Sequence, residues 1–313
     1  MAWSIDDIPD QGGRIAVVTG ANGGLGLETA DALAGKGAHV VMAVRNQEKA
    51  DAAHDRIMAR HPGASLQLVP LDLGNQDSVK VAASTIAGAH PEIDVLVNNA
   101  GVMAMPERRT ADGYEMQFGI NHLGHWTFTA ALLPCLLRAD AAGRRPRVVT
   151  VTSIARFMGT AVDPSNPHLE GKYSAWGSYG QAKLSNYYFG IGLQRAFEDA
   201  GVGIRSLLAH PGLTHTDLQS HTIEEGGGGW IGTMSETFAS AIGMSPADGA
   251  RMQLRAATDP DAAGGELFCP MFAGAGPAVR RPIVRRLGLD RRIRELWEVS
   301  ERETGVSLDL AGA

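Results

Sequence analysis

The chain has 313 residues, 44% of them hydrophobic, which is enough for a large buried core. Its formal net charge of −6 and pI near 5.9 argue against a nucleic-acid-binding surface, because such a surface needs a basic face. No run approaches the roughly 18 apolar residues of a membrane span, and the first residues do not read as a secretory signal. We therefore expect a cytoplasmic protein with no integral membrane segment, whose Cys135 and Cys269 are buried, reduced thiols.

The first motif is a glycine-rich turn between an apolar run and a helical stretch. Gly20, Gly24 and Gly26 occupy this turn together with Asn22 and Leu25. In a strand–turn–helix unit, backbone N–H groups and the helix dipole face a bound anion, and glycine lets the anion approach closely. The turn is therefore predicted to bind phosphate. Its spacing differs from the GxGxxG fingerprint, so a glycine-rich turn that binds nothing is the alternative.

Six apolar runs are continuous rather than alternating, which predicts strands buried on both faces. They cover residues 15–19, 38–44, 66–71, 93–97, 148–152 and 204–208. Helical stretches separate most of them, and this alternation predicts an α/β fold with a doubly wound parallel sheet, the Rossmann fold. We expect residues 1–313 to form a single domain, with its core at about 14–270 and a C-terminal extension at about 274–313. Ligands should bind beyond the carboxyl ends of the strands.

Two helices and one strand end carry the candidate catalytic residues. A helix predicted over residues 113–138 contains Asn121 in its middle, where Asn and the nearby glycine weaken the helix and indicate a local distortion. A second helix, over residues 176–200, places Tyr179 and Lys183 on one face by their i,i+4 spacing. Ser153 ends the fifth apolar run and should lie at the ligand-binding edge of the sheet.

Several short motifs follow one another in a familiar order. Thr19–Gly26 reads TGANGGLG, Asn98–Gly101 reads NNAG and Tyr179–Lys183 reads YGQAK. From about residue 14 to about 270 the chain resembles the short-chain dehydrogenase/reductase superfamily, most closely its retinol-dehydrogenase-like branch. The remaining landmarks of that resemblance are Asn121, Ser153 and the segment His210–Thr216.

The resemblance implies hydride transfer between a nicotinamide cofactor and an alcohol/carbonyl pair. Tyr179 would then be the general acid/base, and Ser153 would hydrogen-bond the same substrate oxygen. Lys183 would lower the pKa of the tyrosine and hold the nicotinamide ribose. Asn121 would anchor a water relay to Lys183.

The residue after the second predicted strand bears on the choice of cofactor. NAD-preferring folds place Asp or Glu there, but this chain has Arg45, whose guanidinium suits a 2′-phosphate. NADP(H) is therefore favoured over NAD(H), although an exposed arginine that touches neither cofactor is the alternative. The resemblance implies adenine contacts, a ribose wall and nicotinamide contacts. The implied cofactor-binding residues are Gly20, Asn22, Gly24, Leu25, Gly26, Arg45, Asp72, Leu73, Asn98, Ala100, Gly101, Tyr179, Lys183, Pro211, Gly212, Thr214 and Thr216.

Two segments are candidates for recognising the substrate. Ser153 and Tyr179 are 179 − 153 = 26 positions apart, a long insert that holds Phe157, Met158, Tyr173 and Trp176. The second segment, at about 217–245, contains Trp230 after four glycines and reads as a hinged lid. Their apolar residues favour a small hydrophobic ketone, aldehyde or alcohol. The alternative is that these residues pack on the body of the fold.

The sequence also bears on rival functions, metal binding, the C-terminal arginines and the oligomeric state. A non-catalytic dinucleotide sensor and an epimerase or dehydratase of the same superfamily are the rival functions. We expect no metal site at His122 and His125, or at His210, His215 and His221, because no Cys or carboxylate completes either set at ligand spacing. The seven arginines of Arg280–Arg294 favour a solvated helix over a membrane or subunit contact. A homodimer or homotetramer is expected from the resemblance.

Overall fold

The computed structural model describes residues 2–214, 243–283 and 288–310. Within them, eight strands form one sheet: β1 Ile15–Thr19, β2 His39–Val44, β3 Ser65–Pro70, β4 Val95–Asn98, β5 Arg147–Val151, β6 Arg205–Ala209, β7 Leu267–Pro270 and β8 Ala278–Arg281. The helices are α1 Gly24–Gly35, α2 Gln47–Arg60, α3 Gln76–Ala89, α4 Met116–Phe118, α5 Gly124–Ala141, α6 Ala175–Asp199, α7 Pro246–Thr258 and α8 Leu289–Thr304. A π-helical turn, Gly119–Leu123, joins α4 to α5.

The sheet has the order β3-β2-β1-β4-β5-β6-β7-β8, and only β8 runs antiparallel, against β7. The doubly wound fold is therefore confirmed. The strand order reverses between β1 and β4, so the ligand crevice of such a sheet lies beyond the carboxyl ends of these two strands. β7 and β8 have only four residues each and were not predicted.

Helices cover both faces of the sheet. One apolar layer packs α1, α2 and α7 on the sheet, and the other packs α3, α5 and α6. The strands are buried on both sides because their side chains are apolar in both directions, as in β2, where five of the six residues are buried. This double cover leaves the strand ends as the open edge.

The C-terminal extension lies partly in the sheet and partly on α5 and α6. Trp297 of α8 meets the Trp126 ring edge-on, with centroids 5.1 Å apart, and Gly192 provides the space for it on α6. Trp126 Nε1 donates to the Val306 carbonyl at 2.8 Å. Arg291 and Arg294 of α8 are exposed, which agrees with a solvated helix on the body of the protein.

Thr216 and most of the predicted lid, including Trp230, lie outside the described residues. Thr214 and Met244, on either side of this stretch, form a parallel bridge. Among the helices of the described residues, none combines the length and the apolar character that a membrane span requires.

Candidate active site

The glycine-rich turn after β1 is tightly closed. Gly20 adopts φ +67°, which favours glycine, and a Cβ at Gly26 would overlap the Gly20 carbonyl. The Gly20 N–H donates to the Ala43 carbonyl at 2.8 Å, so the turn is fixed to β2. Asn22 lies half-buried in the turn and Leu25 packs against the core. At Gly20 and Gly26 the backbone of the turn therefore carries no side chain that would block a ligand.

The N-terminus of α1 is suited to an anion. Its N-cap, Gly23, offers no side-chain hydrogen bond, whereas α2, α3, α6 and α7 are capped by Asn46, Asn75, Ser174 and Ser245. The first N–H groups of α1, from Gly24 onward, therefore have no side-chain acceptor. Free N–H groups and the positive end of the helix dipole fit the pyrophosphate of a dinucleotide.

Three predicted cofactor residues follow β2 and β3. Arg45 is exposed at the end of β2, directly before the Asn46 cap of α2. Asp72 accepts the Gly74 N–H at 2.9 Å, which shapes the loop after β3. Leu73 is buried and lies against the start of α5, where a Cβ at Gly124 would overlap its carbonyl. These loops line the β1–β2–β3 side of the crevice.

The NNAG segment after β4 forms the opposite side of the crevice. Ala100 contacts Gly20, since a Cβ added there would be 3.0 Å from that of Ala100. Gly101 faces the catalytic residues, because a Cβ there would lie 2.7 Å from Asn121 Oδ1 and 3.6 Å from Lys183 Nζ. The Asn98 side chain is buried and donates to Thr129 Oγ1 at 2.9 Å. Asn98, at the end of β4, therefore fixes this wall to α5, and its contact with a cofactor stays a prediction.

The loop after β6 brings the next predicted residues to the same edge. Gly212 has φ +80° and packs against the Gly274 carbonyl, and Thr214 Oγ1 donates to the Pro211 carbonyl at 3.0 Å. These contacts fold the HPGLT segment back over the sheet edge. The structure thus gathers Pro211, Gly212 and Thr214 beyond the strand ends.

Asn121 lies in the π turn, which confirms the predicted distortion of its helix. Its side-chain amide pairs with the backbone of Val102, accepting the N–H at 2.7 Å and donating to the carbonyl at 2.9 Å. A π turn shifts the helical register and frees backbone groups, and such turns are frequent at functional sites. Asn121 consequently holds the loop after β4 against the π turn.

The predicted catalytic residues meet where β5 ends and α6 begins. The Ser153 hydroxyl, which also caps the short 3-10 turn Ile154–Phe157, hydrogen-bonds the Tyr179 phenol. Lys183 Nζ lies 5.9 Å from the centre of the Tyr179 ring and donates to the Val151 carbonyl at 3.2 Å. The half-buried Ser153 and the buried Tyr179 and Lys183 thus lie in one cluster.

Two glycines that sequence reasoning missed allow this meeting despite the 26-residue separation. A Cβ at Gly159 or at Gly180 would overlap the backbone of the other residue. The loop after Ser153 therefore packs directly on the backbone of α6, one residue after Tyr179. The only sequence signal was a glycine inside a predicted helix, which is a weak indication of close packing.

Burial determines the protonation of the cluster. It raises the pKa of Tyr179 to about 12, although the hydrogen bond to Ser153 acts in the opposite direction. Burial also lowers the pKa of Lys183 to about 8. The expected lowering of the tyrosine pKa by Lys183 is not seen in the chain alone, where desolvation is the largest influence on that pKa and the Ser153 hydrogen bond is the one that opposes it. At neutral pH, Tyr179 carries its proton.

Apolar side chains surround this cluster. Trp176 presents its ring edge-on to Tyr179, with centroids 6.1 Å apart, and Tyr173 donates to the Met105 carbonyl at 2.6 Å. The loops after β5, β6 and β7 also carry exposed large apolar residues, namely Phe157, Met158, Leu213, Met271 and Phe272. The catalytic edge of the sheet therefore has a hydrophobic rim.

Comparisons with known proteins identify the family of this chain. The family model for short chain dehydrogenases matches residues 14–226. A polyprenol dehydrogenase of Mus musculus is 36% identical over 82% of this chain and 75% of its own length. A short-chain dehydrogenase/reductase of Armillaria gallica is 36% identical over 95% of this chain and 92% of its own. The crystal structure of an uncharacterized protein from Mycobacterium paratuberculosis is 35% identical, with a TM-score of 0.78 over 99% of this chain and 100% of that one.

Members of this family bind a nicotinamide dinucleotide. The glycine-rich turn before α1 and the N-terminus of α1, whose N-cap offers no side-chain hydrogen bond, fit such a cofactor. Taken with the Ser153–Tyr179–Lys183 cluster and the matched family model, they show that this chain is an oxidoreductase of the short-chain dehydrogenase/reductase family.

Proposed function

We propose that the protein interconverts hydrophobic ketones or aldehydes and their alcohols with NADP(H). The observation that carries the proposal is the buried cluster in which Ser153 hydrogen-bonds a protonated Tyr179, with Lys183 one helical turn away. A phenol with a pKa of about 12 holds its proton at neutral pH and is ready to donate it to a carbonyl oxygen. This arrangement supports proton transfer as the role of the chain's own residues.

Each residue of the cluster has a distinct proposed part. Ser153 would hold the substrate oxygen beside the phenol, and Tyr179 would protonate that oxygen in reduction and deprotonate the alcohol in oxidation. Lys183 would stabilise the phenolate that remains and bind ribose hydroxyls through its ammonium group. The bound nicotinamide would supply or accept the hydride. Asn121 would keep the adjoining loop in place through its amide pair with Val102.

Two features support NADP(H) as the cofactor. Arg45 offers a cation at the end of β2, where an NAD-preferring site carries a carboxylate. Its neighbour Asn46 fixes the start of α2 by accepting the Lys49 N–H at 2.8 Å, so the arginine extends from a fixed backbone. Arg45 would therefore bind the 2′-phosphate. The phosphates between the two nucleosides would lie at the N-terminus of α1, near Gly24.

The hydrophobic rim and one relative support an apolar substrate. Phe157, Met158 and Trp176 lie on the insert before Tyr179, and the Trp176 ring meets the Tyr179 ring edge-on. Polyprenol, in the name of the Mus musculus relative, is a long apolar alcohol. We therefore propose a hydrophobic alcohol or carbonyl compound in place of a sugar or an acid. The cytoplasmic location and the homo-oligomeric state stay predictions.

Consumption of NADPH with a panel of aryl, terpenoid and steroid carbonyl compounds tests the proposal. We expect turnover with at least one of them, and we expect Tyr179→Phe to abolish turnover while NADPH still binds. Tyr114→Phe is the matched control, since Tyr114 is a half-buried tyrosine whose hydroxyl donates to the Glu303 carbonyl at 2.6 Å. Retained activity in Tyr179→Phe, or no turnover with any compound by a cofactor-loaded enzyme, would refute the function.

A further inference from the structure

Two histidines are buried where the π turn meets α5: His122 lies in the π turn and His125 in the first turn of α5. Burial lowers the pKa of His122 to about 3 and that of His125 to about 4, so both imidazoles are neutral at pH 7. A neutral imidazole has one N–H donor and one nitrogen acceptor. The partners of each ring therefore decide which nitrogen carries the proton.

The partners of His125 fix its tautomer. Its Nδ1 lies 3.0 Å from the Asn121 carbonyl, which can only accept, so Nδ1 carries the proton. Its Nε2 is then an acceptor, and Thr19 Oγ1 lies 2.9 Å from it. The Thr19 hydroxyl must donate to His125. The other available acceptor for this hydroxyl, the Val97 carbonyl, is farther away at 3.3 Å.

Thr19 in turn holds the segment after β4. Its hydroxyl oxygen accepts the N–H groups of Asn99 at 2.9 Å and Ala100 at 3.0 Å. With its proton directed to His125, both lone pairs of the hydroxyl oxygen are available for these two donors. Asn99 Nδ2 also donates to the Thr19 carbonyl at 2.8 Å. The ends of β1 and β4, on either side of the crevice, are thereby joined through one hydroxyl group.

These hydrogen bonds form a closed ring that passes through the π turn and the start of α5. From the Asn121 carbonyl the ring passes through His125 and Thr19 to the Ala100 N–H, and along the chain to Val102. Val102 then returns to the Asn121 side chain through two hydrogen bonds. Gly101, where a Cβ would lie 2.7 Å from Asn121 Oδ1, lies within this ring.

We propose that His125 is a positioning residue that fixes the ends of β1 and β4 to the π turn and thereby sets the shape of the cofactor site. The inference rests on the proposed use of a nicotinamide cofactor. Loss of His125 leaves the Thr19 hydroxyl with the longer bond to Val97 and removes the link to Asn121. The turn at Gly20 and the wall at Ala100 then lose their common support from the helix. Binding of the cofactor must then restore the positions of the turn and the wall.

His122 provides a matched control, since it is an equally buried neutral histidine three residues away on the same helix. Its Nε2 meets Ser300 Oγ at 2.9 Å, and Ser300 donates to the Leu296 carbonyl, so His122 serves the contact with α8. His125→Phe should weaken NADPH binding by about tenfold, which is the effect of about one buried hydrogen bond. The affinity is measured from the fluorescence of the cofactor. His122→Phe should lower the melting temperature but leave the affinity for NADPH unchanged.

Thr19→Val tests the same bonds from the other partner and keeps the proposal testable if His125→Phe does not fold. It should weaken NADPH binding at least as much as His125→Phe does. The variant with both substitutions should bind NADPH no more weakly than Thr19→Val alone, because both substitutions break the same series of hydrogen bonds. Additive losses, or unchanged affinity in either single variant, would overturn the role of His125. If the wild type binds neither NADPH nor NADH, the proposed function fails with it. If it binds NADH only, the same comparison is made with NADH.

Discussion

Replacement of Arg45 is the sharpest test of the proposed cofactor preference. The described structure shows no hydrogen bond or ion pair for this side chain, so its replacement should disturb few contacts within the protein. Arg45→Ala should therefore weaken NADPH binding while leaving NADH binding almost unchanged, because only NADPH carries the 2′-phosphate.

The expected magnitude follows from the exposure of the arginine. Hydrogen bonds to charged groups contribute about 1.5–3 kcal/mol, and solvent screening places an exposed guanidinium at the lower end. A loss of about 1.4 kcal/mol corresponds to about a tenfold weaker affinity for NADPH. Arg45→Glu should go further and reverse the preference, since the carboxylate repels the phosphate and can accept the ribose hydroxyls.

Fluorescence titration with NADPH and NADH gives the ratio of the two dissociation constants for each variant. Arg195→Ala is the matched control, because Arg195 lies on α6 and pairs with Asp290 at 2.7 Å, on the α8 side of the protein. Its ratio should equal that of the wild type. An unchanged ratio in both Arg45→Ala and Arg45→Glu would show that the arginine does not select the cofactor.

Two further predictions concern stability. The pKa values of His122, His125 and His210 are lowered by burial to between about 3 and about 4, so the unfolded chain binds more protons than the folded chain as the pH falls below 6.5. The free energy of unfolding should decrease by up to about 1.4 kcal/mol per pH unit for each histidine, and a flat profile between pH 6.5 and pH 4.5 in urea titrations would contradict this. Trp297→Ala should destabilise the protein by about 3 kcal/mol, because its ring packs on α5 and α6, while the exposed Val81→Ala should change the melting temperature little.

Most of the fold could be predicted because each central strand is buried on both faces. β1 agrees with its predicted range at both ends, and β2, β3, β5 and β6 agree to within one residue at each end. The distortion at Asn121 was also visible, since asparagine and glycine are poor residues for a helix interior. β7 and β8 escaped prediction because neither forms a continuous apolar run: β7 ends in Pro270, and half of the four residues of β8 are arginines.

The parts of the site that could not be predicted depend on contacts distant in sequence. Thr19 and His125 are 106 positions apart, and neither residue type indicates the other as its partner. The same holds for Gly159 and Gly180, whose close approach follows only from the path of the insert. The direction of the Tyr179 pKa was mistaken for a related reason, since the motif shows the nearby lysine but not the degree of burial.

The cofactor side and the substrate side of the site are supported by different parts of the chain. On the substrate side, the insert is tied to α8, because His168 meets Glu303 at 3.1 Å and Arg302 donates to the Pro164 carbonyl at 3.0 Å. On the cofactor side, Gln253 of α7 donates to Asn99 at 3.1 Å. Substitutions in α8 should therefore disturb the insert before Tyr179 more than they disturb the phosphate-binding turn. Trp297→Ala tests this separation, because it should lower the melting temperature while the affinity for NADPH stays at the wild-type value.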